Sequence, residues 1–151
     1  MASDSLRVSD RSNSQSGGND AMYFISWRVH DATAPLHAEE RELIVGALRH
    51  FDTARYSLLA FVVMDDHVHV MLRPFGAFAL ERIVHSWKSY TAHVLQKRGR
   101  QGGVWARGYF HRALRNESDY EEKLAYIRTT PQRRWPGVTG YPWVWYNPAS
   151  A

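Results

Sequence analysis

The chain has 151 residues, a formal net charge of +4 and a pI near 9.6. This length suits one domain with a core of its own, and 44% hydrophobic with 23% charged residues is ordinary for a globular protein. The absence of cysteine excludes disulfides, a thiolate nucleophile and a cysteine zinc site, and it fits a reducing, cytoplasmic setting. The longest apolar run, "YSLLAFVVM" (56–64), is far short of the roughly 20 residues that span a bilayer, so no membrane segment is expected. The first twenty residues, "MASDSLRVSDRSNSQSGGND", lack the apolar stretch of a secretory signal and read as a disordered segment ahead of a single domain over 21–151.

Charge is unevenly spread. Residues 1–72 carry 6 Lys/Arg against 10 Asp/Glu, whereas 73–134 carry 13 against 5, and 135–151 carry none. A basic second half interleaved with Trp87, Tyr90, Trp105, Tyr109 and Phe110 suits a polyanion with stackable bases. An ordinary solvated basic face would look the same. Lys88, Arg107, Arg112 and Arg115 lie in this stretch and are the candidates for phosphate contacts. Trp87 and Trp105 fit the core better than a stacking platform.

In chain order, "MYFISWRV" (22–29) alternates and reads as a strand. "LHAEERELIVGALRHF" (36–51) has Leu43, Ala47 and Leu48 at helical spacing. "YSLLAFVVM" and "HVHVMLRP" (67–74) read as two strands, with Asp65-Asp66 as the turn between them. "FALERIVHSWKSYTAHVLQKRG" (78–99) predicts a long helix with Leu80, Ile83, Val84, Trp87, Thr91 and Val94 on one stripe and Gly99 past its end. "VWARGYFHRAL" (104–114) reads as extended. "SDYEEKLAYIRTT" (118–130) predicts a helix opened by a capping box from Ser118 to Glu121 and stopped by Pro131. The Pro/Gly/Trp-rich end predicts irregular packing. The first six elements follow the ferredoxin-like split βαβ order, an α+β fold.

Two features carry chemistry. His67 and His69 sit at i and i+2 of an apolar strand, hence on one face about 6.5–7 Å apart along the chain, with Val68 turned into the core on the other. Two imidazoles so placed can converge on one cation, or they are simply satisfied polar side chains on a half-buried strand. A two-histidine site needs further ligands or water. The last helix carries its apolar stripe on Tyr120, Leu124 and Ile127, and at about 100° per residue Tyr126 points about 120° away from it, on the face of Glu122 and Thr130. A surface tyrosine is the plain reading; a tyrosine presented for chemistry is the other.

"MDDHVHVML" resembles the HUH motif (His, hydrophobe, His) of single-tyrosine transposases of the IS200/IS605 kind. "HSWKSYTAHV" followed by "GGVWARGYFHRALRNESDYEEKLAYIRTTPQRRW" is similar in order and spacing to REP-associated tyrosine transposases. The resemblance spans about Met22 to Tyr146. It implies a ferredoxin-like αβ sheet with helices on one face plus a C-terminal tyrosine-bearing helix. It implies that His67 and His69 hold Mg²⁺ or Mn²⁺ against a scissile phosphate, and that Tyr126 attacks the phosphorus to leave a 5′-phosphotyrosine and a free 3′-OH. The implied activity is a single-stranded DNA endonuclease and strand transferase acting near hairpin or palindromic elements, as a monomer or as a homodimer that swaps the tyrosine helix. Lys123 and Arg128 are the cations near Tyr126 on this reading. The sequence departs from the pattern at three places. Thr130 stands where Asn or Gln usually completes the metal site. "MDDH" replaces "MPNH", which makes Asp65 or Asp66 a candidate partner for a histidine. His111 stands where an acid is common. The Thr130 departure gives the alternative, a DNA-hairpin-binding protein that has lost catalysis. A metal-dependent hydrolase of some other phosphoester is the third reading.

Overall fold

In the computed structural model, residues 21–31 and 33–148 are described; the segment 1–20, expected to be disordered, lies outside them. Five strands form one antiparallel sheet: β1 (Met22–Arg28), β2 (Tyr56–Val63), β3 (His67–Pro74), β4 (Phe110–Leu114) and β5 (Val144–Tyr146). Their order across the sheet is β4-β1-β3-β2-β5. The first four strands have the split βαβ order, so the ferredoxin-like expectation holds, and β5 extends the sheet beyond β2. Three helices among the described residues complete the fold: α1 (Ala38–His50), α2 (Leu80–Lys97) and α3 (Glu117–Arg134).

The period-2 alternation of β1 and β3 sorts the side chains onto two faces. Tyr23, Ile25 and Trp27 of β1 and Val68, Val70 and Leu72 of β3 pack beneath α1 and α2, with Ile44, Leu48, Leu80, Val84, Trp87 and Leu95 in the same core. Phe24, Met71, Ala60 and Val62 point to the opposite face, where Leu124 and Ile127 of α3 cover them. Two helices therefore lie on one face and the tyrosine-bearing helix on the other. A bulge between Leu58 and Ala60 shifts the β2–β3 register.

The α2 stripe is as read except at its last turn, where Leu95 rather than Val94 is buried. Gly99 has φ +121°, a conformation that suits glycine just past a helix end. Trp87 is buried, and Trp105 packs on the core with its Nε1–H donating to Thr91 Oγ1 at 2.9 Å.

Three expectations fail. The N-cap of α3 is Asn116, whose side chain accepts from the Asp119 N–H at 2.8 Å, rather than Ser118. Pro131 lies inside α3 instead of ending it. A proline removes one helical hydrogen bond, and here the Thr130 hydroxyl and the Arg133 guanidinium both donate to the Tyr126 carbonyl, bracing the turn before the proline. The C-terminal stretch is not wholly irregular. Val144, Trp145 and Tyr146 pair with Val62, Phe61 and Ala60, because a β-branched and aromatic triplet suits a sheet edge whatever the Pro and Gly around it.

Candidate active site

The site lies where α3 crosses the β1–β3 pair. His69 stands opposite Ser26 in the ladder, and His67 stands opposite Arg28. Both imidazoles leave the sheet on the α3 side, and their rings converge to 4.5 Å between centroids. His67 Nδ1 lies 2.6 Å from Asp66 Oδ1, which fixes the ring and leaves Nε2 as the nitrogen that could hold a metal. Asp66 is thus the aspartate that orients a histidine. Asp65 goes elsewhere: Arg134 donates to its two carboxylate oxygens from Nε at 3.1 Å and Nη2 at 2.7 Å, tying the β2–β3 turn to the end of α3.

His69 is 7% exposed, and neither ring nitrogen has a hydrogen-bond partner. Its pKa lies well below the ordinary value because burial, then the His67, Arg133 and Lys123 charges, disfavour the imidazolium. The neutral ring is the form that binds a metal. A buried imidazole with both nitrogens idle, beside a second one oriented through a carboxylate, fits a pair of metal ligands. Among the described residues no cluster of three or more His, Asp or Glu could hold a metal.

Tyr126 is 42% exposed, and its ring meets His69 edge-on at 5.2 Å and Phe24 at 6.1 Å. The periodicity of α3 thus put Tyr126 off the helix core and onto the histidines, with one chain supplying both. Thr130, one turn on, is buried; its hydroxyl donates to the Tyr126 carbonyl at 2.6 Å and accepts from Arg133 Nη2 at 2.7 Å.

The cations divide differently from the sequence reading. Lys123 is near, its Nζ 5.0 Å from the Phe24 ring and 5.7 Å from the Tyr126 ring. Arg128 instead covers Tyr146 of β5 at 4.7 Å. The guanidinium over Tyr126, at 3.9 Å, belongs to Arg133. Phe24 and Arg133 were missed. The i+7 spacing of Arg133 from Tyr126 was the available signal, hidden by the reading of Pro131 as the helix end.

Of the phosphate candidates, Lys88 is half-buried and donates to the carbonyls of Ala106 at 3.0 Å and Gly108 at 2.6 Å, holding the loop before β4. Burial lowers its pKa. Arg107 is exposed on that loop. Arg112 stands opposite Phe24, on the histidine face, with Nη2 3.8 Å from Asp119. Arg115 is exposed at the end of β4. His111 stands opposite Ile25 and so faces away from the histidine pair. No helix among the described residues is long and apolar enough to cross a membrane.

No curated protein matches the chain. Among solved structures, it is similar to the REP-associated tyrosine transposase bound to a REP hairpin, with a TM-score of 0.73, 17% identity, and 92% of this chain and 82% of that one covered. It is also similar to a protein of Deinococcus radiodurans R1 described as a candidate transposase, with a TM-score of 0.55, 19% identity, and 73% and 90% covered. At these identities the likeness speaks to the fold. The sequence pattern of the family described as "Transposase IS200 like" matches residues 26–130, which take in the end of β1, the histidine pair, Tyr126 and Thr130. The chain belongs to the IS200-like transposase family.

Proposed function

We propose that this transposase nicks and rejoins single-stranded DNA near a hairpin, through a covalent 5′-phosphotyrosine at Tyr126. One observation carries the reading: a half-exposed tyrosine from α3 stands against a buried histidine with unbonded nitrogens, 5.2 Å between rings, in the same chain. His67 and His69 would hold Mg²⁺ or Mn²⁺, with imidazole favouring Mn²⁺. Such an ion acts as a Lewis acid on a nonbridging phosphate oxygen and aligns the scissile group.

The chain's own part is placement and bond exchange. The Tyr126 oxygen forms a bond to phosphorus as the bond from phosphorus to the leaving 3′ oxygen breaks. That oxygen keeps the electron pair and takes a proton to become a 3′-OH, while the phenol gives up its own proton to solvent. The phosphotyrosine retains the diester's energy, so a 3′-OH of another strand can reverse the attack without ATP. The meeting of Tyr126 and His69 within one chain supports a monomer, rather than a helix-swapped homodimer, as the acting unit. The hairpin partner is supported by the solved relative bound to a REP hairpin. Arg107, Arg112 and Arg115 are the cations proposed to meet its phosphates, with Lys88 shaping the loop that carries Arg107.

The second reading, hairpin binding without cleavage, is favoured by Thr130, whose hydroxyl is already engaged within α3. A denaturing gel separates the two. Incubation with labelled hairpin oligonucleotides and Mn²⁺ is expected to give an SDS-resistant adduct that EDTA and Tyr126→Phe abolish. A hairpin complex with no adduct in Mn²⁺ would establish the binding-only reading instead.

A further inference from the structure

We infer that Arg133 is the positioning residue for Tyr126, and that Thr130 serves as its anchor rather than as a metal ligand. The inference rests on the reading of Tyr126 as nucleophile. Arg133 makes a connected set of contacts. Its guanidinium lies 3.9 Å from the centre of the Tyr126 ring. Nη1 donates to Thr129 Oγ1 at 2.5 Å, while Nη2 donates to Thr130 Oγ1 at 2.7 Å and to the Tyr126 carbonyl at 2.9 Å. One planar fork thus grips the backbone of the tyrosine and covers one face of its ring. Phe24 and His69 meet the ring edge-on. Together they restrict the rotamer of a side chain that is otherwise half in solvent.

The location explains the need. Pro131 has no N–H to give the Ile127 carbonyl, so α3 lacks a helical hydrogen bond one residue after Tyr126. Thr130 Oγ1 and Arg133 Nη2 both reach the Tyr126 carbonyl and tie that turn together. An asparagine or glutamine at 130 would present an amide in place of this hydroxyl. Here the hydroxyl donates its proton to the Tyr126 carbonyl and accepts from Arg133, which leaves it a weak ligand. The site therefore has two histidines for a cation and a guanidinium for the tyrosine.

The test is the single-turnover rate of adduct formation on a hairpin oligonucleotide, measured across a Mn²⁺ titration, for the wild type, Arg133→Ala, Arg133→Lys and Thr130→Val. Misplacing a reacting group costs on the order of 10- to 100-fold, and that loss is expected for Arg133→Ala at saturating Mn²⁺, with hairpin affinity unchanged and half-saturating Mn²⁺ not raised. Arg133→Lys restores part of the rate, since an ammonium can cover the ring but cannot fork across three oxygens. Thr130→Val slows the rate without moving the Mn²⁺ midpoint. A wild-type rate in Arg133→Ala would overturn the inference, as would a Mn²⁺ midpoint raised by Thr130→Val, which would make Thr130 a ligand. If Arg133→Ala does not fold, Thr130→Val decides, being close in shape. An absence of adduct in the wild type itself would sink the nucleophile reading beneath the inference, and is recognised by its indifference to every variant.

Discussion

Beneath α1 and α2, Trp27 stacks on Trp87 at 6.0 Å, and the Tyr56 hydroxyl accepts from Trp87 Nε1 at 3.2 Å while donating to the Leu48 carbonyl at 2.6 Å. Thr91 accepts from Trp105 and donates to the Trp87 carbonyl at 2.7 Å. On the other face, Phe24 lies 5.3 Å from a buried His69 whose nitrogens bond nothing, and Lys123 and Arg133 crowd the same spot. Each buried polar atom left unmet costs about 1–3 kcal/mol. Both faces leave a buried nitrogen unmet, Trp27 Nε1 on the helix side and both His69 nitrogens on the other, but only the α3 face sets such a group beside a second imidazole and a half-exposed phenol.

Substitutions should divide along the same line. Replacing both His67 and His69 with alanine is expected to lower adduct formation on the order of 10³-fold or more, because the several kcal/mol from a Lewis acid goes with them; single-turnover gels measure it. Trp87→Ala should cost about 3–5 kcal/mol in urea unfolding, through a cavity in the helix-side core, while the folded fraction keeps its adduct rate. His69→Leu should raise stability by about 1–3 kcal/mol while lowering adduct formation no further than the double histidine variant does, since it replaces an unmet polar group with an apolar one of similar size. A loss of stability in that variant would mean that His69 is a satisfied structural residue, and the contrast between the faces would collapse. Asp65→Asn should cost about 1 kcal/mol, because Arg134 at 43% exposure is screened and the amide oxygen still accepts from it, and should appear as faster hydrogen exchange at the end of α3.

The helix-side face was legible because burial there follows period: strand alternation and the α2 stripe are local properties of the chain. His67 and His69 were legible for the same reason, as i and i+2 must share a face. Tyr126 was legible only as a residue off the helix stripe; the path of α3 over β1 and β3 set what it would face. Which cation lies on it depended on two things that periodicity does not carry. β5 forms beside β2 and draws Arg128 to Tyr146. α3 runs through Pro131, so that Arg133 falls two turns after Tyr126 on the same face. The role of Asp65 was hidden likewise, since its partner Arg134 is 69 residues away.

The most direct measurement is the mass of the peptide that carries DNA. Trypsin cuts after Lys123 and Arg128, releasing Leu124–Arg128, "LAYIR", with one tyrosine. After reaction with a hairpin oligonucleotide and Mn²⁺, then nuclease trimming, this peptide is expected to carry a 5′-linked nucleotide. A nucleotide on the peptide containing Tyr120, or on any other residue, or DNA cleaved with no peptide modified, would contradict the assignment of Tyr126 as the nucleophile.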